Sequence, residues 1–260
     1  MAQGTTRLII SGCCGRMGQR IASLALGDPA YVIAGGLEGP GHQALGQDLG
    51  AVLGTKPLGV VIADDVQRAL SAGDVLIEFT RPEPTLEHVR IARRLKKPMV
   101  IGTTGLSDDQ RRAVADAAKD IPIVLSPNMS PGVNVLFELV ATAAKRLGLR
   151  YDVEVVEAHH RTKQDAPSGT AKRLVEVLAE ARRQPASQIP AHAIRAGEIV
   201  GDHTVIFAGP FERLELTHRA QSRDVFALGA LRAAHAVRTK PPGLYDMGHV
   251  LQDEGDHGRR

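Results

Sequence analysis

The sequence predicts an α/β protein in two parts, a parallel sheet wound with helices and then an α+β domain with a mixed sheet. Three observations carry this. Up to about residue 126, short β-branched runs alternate with longer helical patterns, and such alternation implies right-handed βαβ crossovers and parallel strands. After Pro131 the predicted strands crowd together with short connections, as in antiparallel or mixed sheets. The chain has 260 residues, 43% of them apolar, enough for two cores at ~150 residues per domain.

In chain order, 7–11 reads as a strand, 17–26 as a helix, and 31–37 and 59–63 as strands. Strands at 75–80, 98–102 and 121–126 follow, separated by helices over about 83–97 and 108–119. Thr80 ahead of Pro82 marks one helix start, and Ser107 with Gln110 three positions on has the form of a capping box. A long helix at 133–147 then leads into a strand at 151–158 that alternates weakly and turns polar. A helix at 170–183 and strands at 193–200, 203–208 and 212–220 complete the second part, and 243–260 reads as a short structured piece ending in a polar tail.

Composition excludes several classes. Lys and Arg total 32 against 29 Asp and Glu, a net charge of +3 with both signs interspersed, which is no polyanion-binding field. Five Phe, three Tyr and no Trp leave little on which nucleic-acid bases could stack. No apolar run reaches the ~18 residues of a spanning helix, and the N-terminus lacks a signal-peptide pattern. A cytoplasmic protein with no nucleic-acid or membrane partner is expected. The basic stretch Arg90, Arg93, Arg94, Lys96 and Lys97 reads as a solvated helix face. Adjacent Cys13 and Cys14 have poor disulfide geometry and no zinc-ligand spacing; they read as small residues in a tight loop, with a reactive thiol as the lesser alternative, and no metal is expected.

That loop is the first chemical signal. Gly12, Gly15 and Gly18, in GCCGRMG, follow the first strand and open the first helix. Glycines there let the backbone approach a pyrophosphate, whose charge meets the amide-rich helix end. Glu38 lies twenty residues beyond Gly18, at the end of the second strand, where a carboxylate can accept ribose hydroxyls. This predicts a Rossmann-type dinucleotide-binding domain. Gly102, Thr103 and Thr104, and then Ser126, Pro127, Asn128 and Met129, follow later strands. Ligands collect at those carboxyl ends.

The second signal is the stretch EAHHRTKQDAPSGTA from Glu157 to Ala171. His159, His160, Arg161 and Lys163 place four potential cations within five residues, ahead of Pro167-Ser168-Gly169-Thr170, which starts a helix. With Ser168 as N-cap, the amides of Gly169 and Thr170 would face an anion. Together they describe a receptor for a carboxylate-bearing substrate.

These motifs, with IGTTG, SPNMSPGVN, AGEIVGDH, HRAQSRDVFALGA and GLYDM, resemble the 4-hydroxy-tetrahydrodipicolinate (dihydrodipicolinate) reductase family over nearly the whole chain. The resemblance implies reduction of a cyclic imine dicarboxylate by NADH or NADPH to tetrahydrodipicolinate, in the diaminopimelate route to lysine. It implies a homotetramer built through the sheets of the substrate domain. It also implies a discontinuous nucleotide domain, 1–129 plus 241–260, around a substrate-binding and oligomerisation domain at 130–240. By resemblance, His159 and Lys163 fall on the acid-base pair, and His160, Gly169 and Thr170 on substrate contacts. Gly12, Cys13, Cys14, Gly15, Arg16, Met17, Glu38, Gly102, Thr103, Thr104, Ser126, Pro127, Asn128 and Met129 fall on cofactor positions.

One departure bears on the cofactor. Many family members carry Arg directly after the ribose-binding acid, and this chain has Gly39. A carboxylate repels a 2′-phosphate, so NADH is expected to be preferred, with NADPH usable through Arg16. The residues alone leave open another two-domain NAD(P)-dependent oxidoreductase, or a non-catalytic NADH-binding redox sensor; the paired proton donors argue against the sensor.

Overall fold

In the first strands, successive side chains enter opposite cores, the signature of a sheet covered on both faces. The computed structural model describes residues 4–257, with side chains through Gln252. Two compact units result: the residues up to Met129 together with those from Phe226 onward, and Ser130–Val225.

The first unit begins with β1 (Thr6–Ser11), α1 (Arg16–Leu26), β2 (Tyr31–Leu37), α2 (Leu49–Val52), β3 (Ile62–Ala63) and α3 (Val66–Ala72). It continues with β4 (Val75–Glu78), α4 (Pro82–Leu95), β5 (Met99–Ile101), α5 (Asp108–Ala117) and β6 (Pro122–Leu125). The second unit holds α6 (Pro131–Leu147), β7 (Asp152–His159), α7 (Gly169–Arg182), β8 (Ala191–Arg195), β9 (Gly201–Ala208) and β10 (Arg213–Ala220). The chain then returns to the first unit through α8 (Asp224–Val237), β11 (Gly243–Tyr245) and α9 (Met247–His257).

The first sheet has the order β11-β6-β5-β4-β1-β2-β3, and every pairing is parallel. Leu8, Ile10, Val75, Ile77, Val100 and Val124 enter one core with Ile21, Ala22 and Ala25 of α1, Ala230, Ala233, Ala234 and Val237 of α8, and Val250 of α9. Ile9, Leu76, Met99, Ile101 and Ile123 enter the other, against Leu70 of α3, Val89 and Ala92 of α4 and Val114 of α5. Each such Leu, Ile or Val contributes ~1.5–3 kcal/mol by leaving water. The second unit has a four-stranded sheet, order β10-β9-β7-β8. β7 runs parallel to β8 and antiparallel to β9, which is antiparallel to β10, so the sheet is mixed. Its core joins Leu136 and Val140 of α6, Leu174 and Leu178 of α7, and Val153, Val155, Val205 and Phe207 of the sheet.

Several expectations need correction. The strand expected at 59–63 shrinks to β3, because Gly59 turns at φ +72 and the amides of Leu58 and Gly59 donate to Asp48 at 2.9 and 2.7 Å instead of a neighbouring strand. Thr80 caps no helix. Its hydroxyl bonds Glu78, and α4 starts at Pro82 after Arg81 without a side-chain cap. The strand expected at 193–200 ends at Arg195, because Gly197 takes φ +50 and its carbonyl accepts from Arg161 at 3.2 Å. The chain returns to the first unit at Phe226, fifteen residues before the expected 241, because the alanine-rich face of α8 is needed to cover the sheet. The closing segment is helical through His257; the end of the expected tail, 258–260, lies outside the described residues, as does 1–3. No helix among the described residues is long and apolar enough to cross a membrane.

The capping box at 107–110 is present. Ser107 Oγ accepts from the Gln110 amide at 3.3 Å, and Gln110 Oε1 accepts from the Ser107 amide at 2.8 Å. Ser107→Ala is expected to lower stability by ~1 kcal/mol, read as a fall in the urea unfolding midpoint, with Ser107→Asp near wild type. Equal midpoints for all three would contradict the cap.

Candidate functional site

In the first unit, the turn after β1 is shaped by two glycines. Gly12 sits at φ +70, and a Cβ there would come 2.9 Å from the Phe79 carbonyl oxygen. A Cβ on Gly18 would come 2.1 Å from the Gly12 carbonyl oxygen, so only glycine lets α1 lie this close to the loop. The N-cap, Gly15, brings no side-chain bond to the helix start, and Gly15 and Arg16 are exposed. The first amides of a helix have no partner within it, so this exposed start fits a pyrophosphate. Glu38 follows β2 directly, and its Oε1 accepts from the Cys14 amide at 2.7 Å, which ties the acid expected at the ribose to the loop expected at the phosphates. Gly39 is exposed beside it.

Cys13 is fully buried in the core, Cys14 and Met17 half-buried. Burial first, then the neighbouring thiol and Glu38, push the Cys13 thiol up; burial and Glu38 do the same to Cys14. Ligand atoms of Cys13, Cys14 and Glu38 lie within 4.8 Å of one another.

The remaining loop residues gather at the same end of the sheet, with different environments. Gly102 and Thr104 face outward to different degrees, while Thr103 is buried, its hydroxyl paired with Thr85 at 2.8 Å and accepting from the Thr80 amide at 3.3 Å. Thr103 therefore braces the loop. Beneath it Glu78, fully buried, bonds His88 Nδ1 at 2.5 Å, which also meets Ser11 at 3.3 Å. Ser126 Oγ donates to the Asn128 carbonyl at 2.7 Å; Pro127 is exposed, Asn128 is buried, and Met129 enters the core.

In the second unit, the period of β7 explains the site. Val153, Val155, Glu157 and His159 all point inward, so a face that begins apolar ends in an acid and an imidazole. His159 Nδ1 lies 2.5 Å from Glu157 Oε2. Arg195, across from His159 in β8, grips both Glu157 oxygens at 2.8 and 2.9 Å. The Ser168 amide, at the start of α7, donates to Glu157 Oε1 at 3.1 Å. Burial works to raise Glu157, but Arg195, His159 and Ser168 more than offset it and hold the carboxyl below its ordinary range. Burial lowers His159; Glu157 opposes this, and the cations Lys163 and Arg195 add to it. The free ring is therefore neutral near pH 7.

Ser168 caps α7 through its hydroxyl, which accepts from the Ala171 amide at 3.2 Å. Gly169 is half-buried and Thr170 buried at that helix start. Lys163 Nζ meets Asp165 at 2.7 Å. Burial would raise Asp165, but the Lys163 bond and charge hold it low. His160, half-buried, pairs through Nδ1 with Thr162 Oγ1 at 2.8 Å. The structure thus gathers His159, His160, Lys163, Gly169 and Thr170 between the end of β7 and the start of α7.

Four further residues belong to this cluster. Glu157 shares the strand parity of His159, and Asp165 stands two positions from Lys163, so both carried a local signal. Arg195 and His203 reach it only through strand register. His203 is buried, its ring 5.2 Å from that of His159 and its Nε2 3.3 Å from Ser168 Oγ, while its Nδ1 has no hydrogen-bond partner among the described residues.

Burial, then the charge of His159, push His203 down to about 3 from an ordinary 6.5. The unfolded chain therefore takes up this proton first on acidification, and stability falls as pH drops from the unfolded towards the folded value. His203→Gln is expected to reduce that slope by up to one proton, ~1.4 kcal/mol per pH unit, in unfolding midpoints measured across this interval. An unchanged slope would contradict the buried neutral ring.

Known proteins share this sequence and fold. Family profiles described as "Dihydrodipicolinate reductase, N-terminus" and "Dihydrodipicolinate reductase, C-terminus" match residues 6–129 and 132–251. The 4-hydroxy-tetrahydrodipicolinate reductase of Anaeromyxobacter dehalogenans strain 2CP-1 is 47% identical, over 95% of this chain and 97% of its own. That of Trichlorobacter lovleyi is 45% identical, over 94% and 98%. In fold, the chain resembles a dipicolinate-bound dihydrodipicolinate reductase from Paenisporosarcina sp. TG-14, with TM-score 0.76 and 24% identity over 93% of this chain and 97% of that one. An amine dehydrogenase from Mycobacterium smegmatis shares the fold more loosely, with TM-score 0.62 and 16% identity over 92% and 94%. With both profiles and close to half of its residues shared along almost its full length, the chain belongs to the dihydrodipicolinate reductase family.

Proposed function

We propose that this protein reduces 4-hydroxy-tetrahydrodipicolinate, or the dihydrodipicolinate it yields, to tetrahydrodipicolinate in the diaminopimelate route to lysine. The observation that carries this reading is His159, held by a buried carboxylate, beside Lys163 and the start of α7. Two kinds of anion receptor, a side-chain cation and a helix start, suit a substrate with two carboxylates. The glycine loop and Glu38 would hold the pyrophosphate and a ribose of a reduced nicotinamide dinucleotide, which would supply a hydride. The chain's residues supply the proton and the positive charge that the substrate nitrogen needs as electron density arrives.

His159 works from Nε2, because Nδ1 is taken by Glu157. The ring is neutral near pH 7, and carboxylates brought beside it favour the imidazolium, so arrival of the substrate readies the acid. Lys163, already oriented by Asp165, exchanges that carboxylate for one of the substrate's. Gly169 and Thr170 receive the other.

Assembly as a homotetramer through the second sheet fits its outer face. Val156, Ile194 and Ile206 lie on the side away from the core residues Val155 and Val205, and Ile194 is 48% exposed. Action in the cytoplasm accords with a biosynthetic role.

His159→Gln and Lys163→Ala are each expected to lower turnover ~100- to 10,000-fold while NADH binding persists, and pyridine-2,6-dicarboxylate is expected to compete with substrate. The assay generates the cyclic substrate in situ and follows loss of reduced nicotinamide. Near-normal turnover in both variants would sink the assignment.

NADH is the preferred cofactor in this reading, because Glu38 favours free ribose hydroxyls over a 2′-phosphate, and NADPH remains usable through Arg16. A Cβ on Gly39 would meet nothing within 4 Å, so an arginine fits there. Gly39→Arg is expected to raise kcat/KM with NADPH more than with NADH, most at low salt. A wild type that strongly favours NADPH would refute the preference.

A further inference from the structure

Four donors converge on the two oxygens of Glu157: two from Arg195, the Ser168 amide and His159 Nδ1. Only an ionised carboxylate accepts four hydrogen bonds; its amide counterpart turns one oxygen into a donor. Arg195, bonded to both oxygens, holds Glu157 ionised, so the proton in its bond to the imidazole sits on Nδ1. We propose that Glu157, clamped by Arg195, is a positioning residue for the reduction: it fixes the His159 tautomer with Nε2 as the working atom and locks that ring to the start of α7. This rests on the functional reading above and assigns a role to two residues outside the reacting groups.

The geometry makes one carboxylate serve both halves of the receptor. Oε2 faces the imidazole and Oε1 the Ser168 amide, so the proton donor and the anion-binding helix start are fixed relative to each other. Arg195 is itself held, donating to the carbonyls of Ile194 at 2.7 Å and Asp165 at 2.5 Å. The second of these belongs to the residue that orients Lys163. Clamp, acid and cation thus form one connected unit drawn from β7, β8, the intervening loop and α7.

The groups facing His159 are Glu157 on β7, Lys163 on the loop, Arg195 on β8 and His203 on β9. Among them Glu157 alone favours the imidazolium. In Glu157→Gln that support is gone and an amide hydrogen can point at Nδ1, which pushes the proton to Nε2 in the neutral ring. The pH at which kcat falls as His159 loses its proton therefore moves to lower pH.

The test uses full-length wild type, Glu157→Gln, the milder Arg195→Lys, and His159→Gln to assign the resonance. It combines kcat and KM across pH with 15N NMR of histidine-labelled protein. Glu157→Gln is expected to lose ~100- to 10,000-fold in kcat, with KM changing less than about tenfold, a neutral His159 ring carrying its proton on Nε2, and the limb displaced to lower pH. Arg195→Lys, which loses the two-pronged grip but keeps the charge, is expected to lose about tenfold and to shift the limb the same way. Activity within about threefold of wild type in Glu157→Gln overturns the proposal. So does a loss of activity with the tautomer and limb unmoved in both variants, which marks a merely structural role. Wild type that reduces no substrate overturns the functional reading and the proposal together, whereas the other two failures leave the reading standing.

Discussion

A parallel sheet must be covered on both faces, because its crossovers and hydrogen-bonded strands leave no face suited to water. In the first unit, α3, α4 and α5 cover one side. On the other side α1 lies over only part of the sheet, and α8 and α9, more than two hundred residues from the N-terminus, complete the cover. The return of the chain is thus a packing requirement. Covering both faces also leaves just the ends of the strands for chemistry. The carboxyl ends of β1, β2, β5 and β6 carry every residue expected to touch a nucleotide in this unit, since their loops are fixed to a rigid platform.

The second unit meets a different constraint, a buried charge. An ionised carboxylate out of water costs several kcal/mol unless paired and hydrogen-bonded, and Glu157 meets that cost with partners from β7, β8 and the start of α7. Satisfying the carboxylate orders the histidine and the helix start at the same time. The neutral His159 and the depressed His203 follow from the same confinement, since burial penalises each added proton. Stability and chemistry here are two readings of one network, and acid acts on both.

Much of this was legible in the sequence, and the exceptions have physical causes. The glycine spacing, the Ser107 cap and the polar end of β7 are local patterns, and local patterns survive without a structure. The family motifs located both clusters. Arg195 was invisible as a partner of Glu157 because the two lie 38 residues apart and meet only through the parallel register of β7 and β8. The length of β3 depended on Asp48 drawing amides away from strand pairing. For α8, the alanine-rich pattern offers little contrast between faces, so neither its helix nor the return at Phe226 was read. Burial divides the two loop residues that looked alike, Thr103 and Thr104: the inward one braces, and the outward one is available.

The late return of the chain has a consequence for how the molecule is made. The second unit is one uninterrupted stretch, Ser130–Val225, and every strand and helix of its core leaves the ribosome before α8 does. The first unit starts earlier and finishes later, because β6 gains its neighbour β11 and the exposed side of the sheet gains α8 and α9 only near the end of synthesis. During translation the apolar row Leu8, Ile10, Val75 and Ile77 stays incompletely covered while the middle of the chain can already be native. Nascent-chain quality control would therefore meet this protein as an unfinished nucleotide domain carrying a finished insert.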